Sequence, residues 1–174
     1  MNAEKYSLFL TELMDESDRA AIVLGVAQID VLLEEVLKKK LTLARSEVFD
    51  FKGPLGTLSS RIELSYALGL LDSDFRIKLD ILRNIRNACA HNIKNVNLAS
   101  GSIASQIQEL ERNFKSNAYW IESLSECEKI FKISGNKLIL RFCIAVLTIN
   151  LVMVKSHVSN LDTSDAYKVI LPNE

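Results

Sequence analysis

The stretch "DILRNIRNACAHN", Asp80 to Asn92, brings Arg86, Asn87 and His91 close together in the chain. A guanidinium is always charged and forks onto phosphate oxygens. An imidazole titrates near neutrality and can carry a proton to or from a reacting group. Such a trio can do chemistry only if its members converge. On an ideal helix the step from Arg86 to His91 turns the chain by about 140°, so the two do not share a face, whereas Asn87 and His91 do. Convergence needs either a helix that unwinds near His91 or a second subunit that completes the site. The same residues also have a purely structural explanation. A cation in the last turn of a helix gains about 0.3–1 kcal/mol from the macrodipole, and Asp80 can pair with Arg83 at i, i+3.

Other constellations carry less. Cys89, Cys127 and Cys143 are scattered and odd in number, which suits a reducing compartment and argues against a disulfide framework. Cys89 with His91 could begin a metal site, but His157 is the only other histidine, and zinc needs three or four ligands. Nothing near Cys89 lowers its pKa enough to make it a nucleophile. Tyr119 and Trp120 could stack a base, although a core or interface role is commoner. Glu122, Glu126 and Glu128 read as a solvated face.

The elements that must position these groups are helical throughout. The 174 residues are 48% hydrophobic and 25% charged, a balance that fits one globular domain with a single core. The periodicity predicts helices over 3–14, from a cap at Ser17 or Asp18 to Lys40, over 59–68, from a cap at Asp72 or Ser73 to about His91, over 102–114 and over 137–157. The segment 119–133 is ambiguous. Ile22, Val26, Ile29, Leu33, Val36 and Leu37 mark the buried stripe of the second helix, whose first half, "AAIVLGVA", is apolar all round and belongs at the centre. Glu34 with Lys38 and Glu35 with Lys39 are expected i, i+4 pairs. Ile62 and Tyr66, then Ile77, Ile81 and Ile85, form further buried lines. The fold expected is an all-α, single-domain helical bundle of about five to seven helices, with its core over about 18–157 and a polar tail over 159–174.

The loop "FDFKGPLGTLSSRIELSYALGLL", Phe49 to Leu71, is the most distinctive segment. Ser60 with Glu63 fits a capping box. Gly53 and Gly56 allow tight backbone geometry, Pro54 stiffens the turn, and Leu55 and Leu58 dock the loop on the core. Backbone N–H groups here could hold an anion, but the Lys-Ser/Thr of a P-loop is missing. "GPLGTLSSRIELSYALGLL", followed by a helix ending in Arg-Asn and Ala-His, resembles the mannitol operon repressor family, MtlR and its YggD-type relatives. The resemblance runs from about Asp18 to His91 and continues weakly through "RFCIAVLTINLV". It implies an all-helical fold and marks Gly53, Pro54, Leu55, Gly56 and Arg61 as the structural residues of the motif. It also implies a role in repressing mannitol uptake genes.

"RNACAH" further resembles the R-x4-H signature of HEPN ribonucleases, all-helical proteins in which two motifs face each other across a dimer and no metal is needed. Carried onto that motif, Arg86 holds the scissile phosphate, His91 moves the proton of the ribose 2′-hydroxyl, and Asn87 orients one of them.

Two functions remain. The first is a regulator acting on transcription indirectly, through contacts with itself or a protein partner. The alternative is a metal-independent RNase, a toxin or defence component, using Arg86 and His91 across a dimer. Direct DNA binding is not expected. The net charge is −1 and the pI about 6.2, and the cations that a recognition helix would offer (Arg76, Lys78, Arg83, Arg86) are spread around it and mixed with Asp74 and Asp80. No cofactor or metal is expected. "FCIAVLTINLVMV" is too short to span a bilayer and contains Asn150, so it reads as a core helix. The first residues lack the pattern of a signal peptide. A cytoplasmic homodimer is the expected state.

Overall fold

The computed structural model describes residues 3–42, 44–91, 96–114 and 119–159. Among them are seven helices: α1 (Ala3–Asp15), α2 (Asp18–Lys40), α3 (Leu58–Ala67), α4 (Ser73–His91), α5 (Gly101–Phe114), α6 (Tyr119–Phe131) and α7 (Gly135–His157). A short 3-10 turn, Ser46–Val48, precedes α3, and the described residues contain no strand. The chain is an all-α helical bundle. The expected tail over 159–174 lies, beyond Ser159, outside the described residues.

The long apolar helices α2 and α7 form the central pair. Contacts between them advance together along both: Arg141 Nη2 meets Asp18 Oδ1 at 3.1 Å, Gly25 lies against Ile144, and Lys155 Nζ meets Glu35 Oε2 at 2.9 Å. The two helices therefore run parallel. A Cβ at Gly25 would fall 2.6 Å from Ile144 Cγ2, so the close approach needs the missing side chain. Ile22, Val26, Ile29 and Leu33 of α2 meet Leu140, Cys143, Ile144, Leu147 and Leu151 of α7 in one core cluster. α3 and α4 pack on α2, α5 on α4 and α7, and α6 on α7, while α1 lies across α2 and α7.

By length and composition α7 is one helix able to cross a membrane, longer than the apolar run suggested by sequence. Half of that window is buried inside the bundle, and the helix carries the ion-paired Arg141.

Local signals explain most boundaries. The Ser17 hydroxyl accepts from the Ala20 N–H at 3.3 Å, and Asp72 Oδ1 accepts from the Phe75 N–H at 2.7 Å. The capping box at α3 is shifted from the expected Ser60–Glu63 pair. Thr57 is the cap and Ser60 its reciprocal partner, because the Thr57 hydroxyl already accepts the Ser60 N–H at 3.1 Å. Glu34 and Lys38 pair at 2.6 Å. Glu35 instead pairs with Lys155, and Lys39 donates to the Lys155 carbonyl at 2.9 Å. Tyr66 and Ile77, expected inside, are exposed. They occupy the outer edge of α3 and α4, where the Arg76 guanidinium lies 5.0 Å from the Tyr66 ring centre.

Candidate functional sites in the loop before α3 and at the end of α4

The loop between α2 and α3 is tied by its own backbone. Leu55 N–H donates to Val48 O at 2.9 Å, Gly53 N–H to Asp50 O at 2.7 Å, and Gly56 N–H to Gly53 O at 3.0 Å. These three N–H groups are spent on the loop itself and are not offered to an anion. A Cβ at Gly53 would lie 2.5 Å from Val48 O, and one at Gly56 would lie 2.6 Å from Phe51 O. Both glycines are required by close backbone approach. Pro54 is exposed at the turn, and Leu55 packs with Leu37 and Phe49 in a small second core.

Arg61 locks this arrangement from the first turns of α3. It is 7% exposed. Its Nε donates to Leu55 O at 2.8 Å and its Nη2 to Phe49 O at 3.2 Å. Its Nη1 meets Asp30 Oδ1 at 2.7 Å, and its Nη2 meets Glu34 Oε2 at 2.6 Å. One planar fork thus joins two loop carbonyls to two carboxylates of α2. The result is a rigid loop that holds Phe51 outward, 88% exposed.

The end of α4 is built differently. Leu82, Ile85 and Cys89 are buried, which leaves Arg86 exposed and Asn87 half-buried. Arg86 Nη1 donates to Asn87 Oδ1 at 3.0 Å. Helical backbone continues through His91 without the early unwinding considered above. Five residues of helical backbone separate the Arg86 and His91 backbone positions by about 140° around the α4 axis. The His91 side chain lies outside the described residues, as do residues 92–95.

Asp80 and Arg83 pair at 3.2 Å, as their spacing suggests. Arg76 pairs with Glu63 at 3.0 Å, and Lys78 with Asp74. Three of the four cations on α4 are thus engaged by carboxylates of the same chain.

The other sequence candidates resolve into packing. Cys89 is fully buried, burial raises its thiol pKa, and Arg19 opposes that only in part, so it is no activated nucleophile. Burial pushes the Cys143 thiol well up, and Glu111 pushes it further. Trp120 is buried and stacked on Phe114 with ring centres 4.8 Å apart, with Phe142 tilted against it at 4.9 Å. Tyr119, its expected companion, has its side chain outside the described residues. Glu122, Glu126 and Glu128 are exposed. Among the described residues no three His, Cys, Asp or Glu side chains are grouped to hold a metal ion.

Sequence reasoning missed Arg141. It is 3% exposed and donates to the carbonyls of Leu13 (3.1 Å), Glu16 (2.7 Å) and Lys137 (3.2 Å) as well as to Asp18. The one available signal was a lone arginine in the apolar run "LILRFCIAVL". Beside it opens a cleft of about 690 Å³ whose wall includes Glu16, Asp18, Arg19 and Lys137. Lys137 and Arg141 both pair with Asp18, at 3.4 and 3.1 Å, so much of the local charge is neutralised within the chain.

No protein-family model matches the chain, and no curated protein matches it. Among solved structures, it is similar to a chain in the X-ray structure of the MtlR–HPr complex from Escherichia coli, with a TM-score of 0.59 and 17% sequence identity. The match covers 87% of this chain and 98% of that one. The likeness establishes an MtlR-like fold.

Proposed function

We propose that this chain is a regulator that works by binding other proteins, and that any effect it has on transcription runs through such contacts rather than through DNA reading. The observation that carries this is the MtlR-like fold, which covers nearly the whole of a chain solved in a complex with HPr. The sequence resemblance to the mannitol operon repressors, centred on Gly53, Pro54, Leu55, Gly56 and Arg61, points the same way. So does the engagement of α4's cations by Glu63, Asp74 and Asp80, which leaves this helix poorly suited to bind a phosphate backbone. A cytoplasmic location accompanies this reading.

The exposed Phe51, held on a rigid loop, is the natural anchor for a partner, because a preorganised aromatic loses little freedom on binding. The test is calorimetric titration of the purified chain with HPr from the same organism. Binding that Phe51→Ala weakens by about 30-fold or more supports the reading. If HPr does not bind and the chain cleaves RNA in EDTA, with activity lost in both Arg86→Ala and His91→Ala, the RNase alternative replaces it.

A further inference from the structure

We propose that α6 is a lid: it lifts off α7 as a unit while the rest of the bundle stays folded, and it thereby bares the ring faces of Phe114 and Phe142 that Trp120 covers. This does not rest on the regulatory reading.

The hold on α6 is narrow. Among its described side chains only Trp120 is buried. Leu124, Cys127 and Phe131 are half-buried, while Ile121 and Ile130 are 72% and 70% exposed. By contrast α2 and α7 each bury a stripe along their length, and Asp18 with Arg141 and Glu35 with Lys155 tie the two together. α6 packs on α7, the next helix in the chain, and Trp120 stacks on Phe114, the last residue of α5. Lifting it therefore leaves the long-range contacts between α2 and α7 in place. An element held by few buried apolar groups opens at a lower free energy than the whole fold.

Two features weigh against the closed position. Trp120 Nε1 is buried and meets no acceptor among the described residues. Docking took this N–H from water and gave it no bond in return, a penalty that lifting removes. Lys132 follows α6 directly with φ 55, the one positive φ at a non-glycine among the described residues. In that conformation the Cβ of an L-residue crowds the following carbonyl oxygen. The joint over 132–134 is where the chain must turn as α6 lifts, and Lys132 gains by leaving the left-handed region.

What holds the lid down is aromatic stacking. Trp120 lies 4.8 Å from the Phe114 ring centre and 4.9 Å from that of Phe142. Phe114 also carries the Lys78 ammonium 4.6 Å from its ring centre, which fixes it to α4 when Trp120 leaves.

The test uses the full chain. Trp120 is its one tryptophan, so indole emission reports the lid, while far-UV circular dichroism reports the helices as a whole. In urea the emission is expected to shift to the red before the helical signal falls. In native-state hydrogen exchange, the amides of 122–131 are expected to exchange about 100-fold or more faster than those of the buried stripes of α2 and α7. Lys132 is exposed, so substitutions there act through the backbone. Lys132→Gly takes a positive φ freely and is expected to slow exchange in α6 by about tenfold. Lys132→Val, branched at Cβ, is expected to speed it by about threefold or more. Exchange in α2 stays unchanged in both. Emission that changes together with dichroism overturns the proposal, as does α6 exchanging no faster than α7. So does an emission already that of a solvated indole in buffer, and so do Lys132→Gly and Lys132→Val that fail to move exchange in α6 in opposite directions.

Discussion

Arg61 and Arg86 are the same side chain in opposite surroundings. Arg61 is buried and meets two carbonyls and two carboxylates drawn from α2 and from the loop before α3. Arg86 is exposed and donates to Asn87, its neighbour in sequence. A guanidinium with its donors saturated by the fold is a structural cross-link with nothing left for a ligand. One with open donors adds little to stability and remains available for binding. Residue type alone therefore does not locate function here; what locates it is whether the chain has already spent the group's hydrogen bonds.

The comparison breaks most sharply at Arg61. Arg61→Ala takes the guanidinium from Asp30, leaves Glu34 with Lys38, and strands the Phe49 and Leu55 carbonyls. Loss of one partner from a buried ion network costs about 3–5 kcal/mol. Because both carboxylates keep some solvent, the lower end, about 3 kcal/mol, is expected in urea denaturation. Arg61→Lys should recover only a minor part, since an ammonium cannot reproduce the fork. A loss below about 1 kcal/mol would show that the loop holds itself.

The loop's own share is read at Gly53. Gly53→Ala puts a methyl group against the carbonyls of Glu47 and Val48, and backbone cannot rotate away as a side chain can. A loss of about 2 kcal/mol is expected, smaller than that of Arg61→Ala. Partner binding through Phe51 should weaken with it, because the same turn sets the direction of that ring.

Much of the architecture was legible in sequence because its determinants are local. The stripes of α2, α4 and α5 repeat every three or four residues, and Ser17 and Asp72 cap helices beside them in the chain. α6 was ambiguous because Ile121 and Ile130 face outward, so its apolar residues do not trace a clean buried stripe. What escaped is long-range. Arg141 is satisfied by Leu13, Glu16 and Asp18, at the far end of the chain, and no window of sequence contains both halves of that contact. Spacing pairs Glu35 with Lys39, but Lys155 from α7 reaches it instead. Arg61 was marked only by its place in the Gly-Pro-Leu-Gly motif; its role needed Asp30 and Glu34 beside it.

The interior also differs from the surface in how it responds to pH. Cys143 sits in the core with its thiol pKa raised by burial, so the folded state keeps the proton to higher pH than the unfolded chain does. Above the ordinary thiol value of 9.0 the unfolded state holds fewer protons, and stability falls as pH rises. Below that value the contribution is fully present. Cys143→Ala should flatten the alkaline decline in melting temperature more than Cys127→Ala does, since Cys127 is only half-buried and its thiol is shifted less. Equal slopes in the two variants would mean that other groups govern the alkaline limb.

The smallest effect on stability is expected at Arg86, and that makes it informative. Its one described hydrogen bond is to an adjacent side chain at the surface, and substitutions of that kind usually stay within about 0.5 kcal/mol. Arg86→Ala should melt with the wild type, so any change in binding or in RNA cleavage would report the group's own contact with a ligand and not a damaged fold. Arg61→Ala offers no such separation. If Arg86→Ala instead lost 2 kcal/mol or more, as a buried network does, the contrast between the two arginines would fail, and Arg86 would belong to the scaffold of α4.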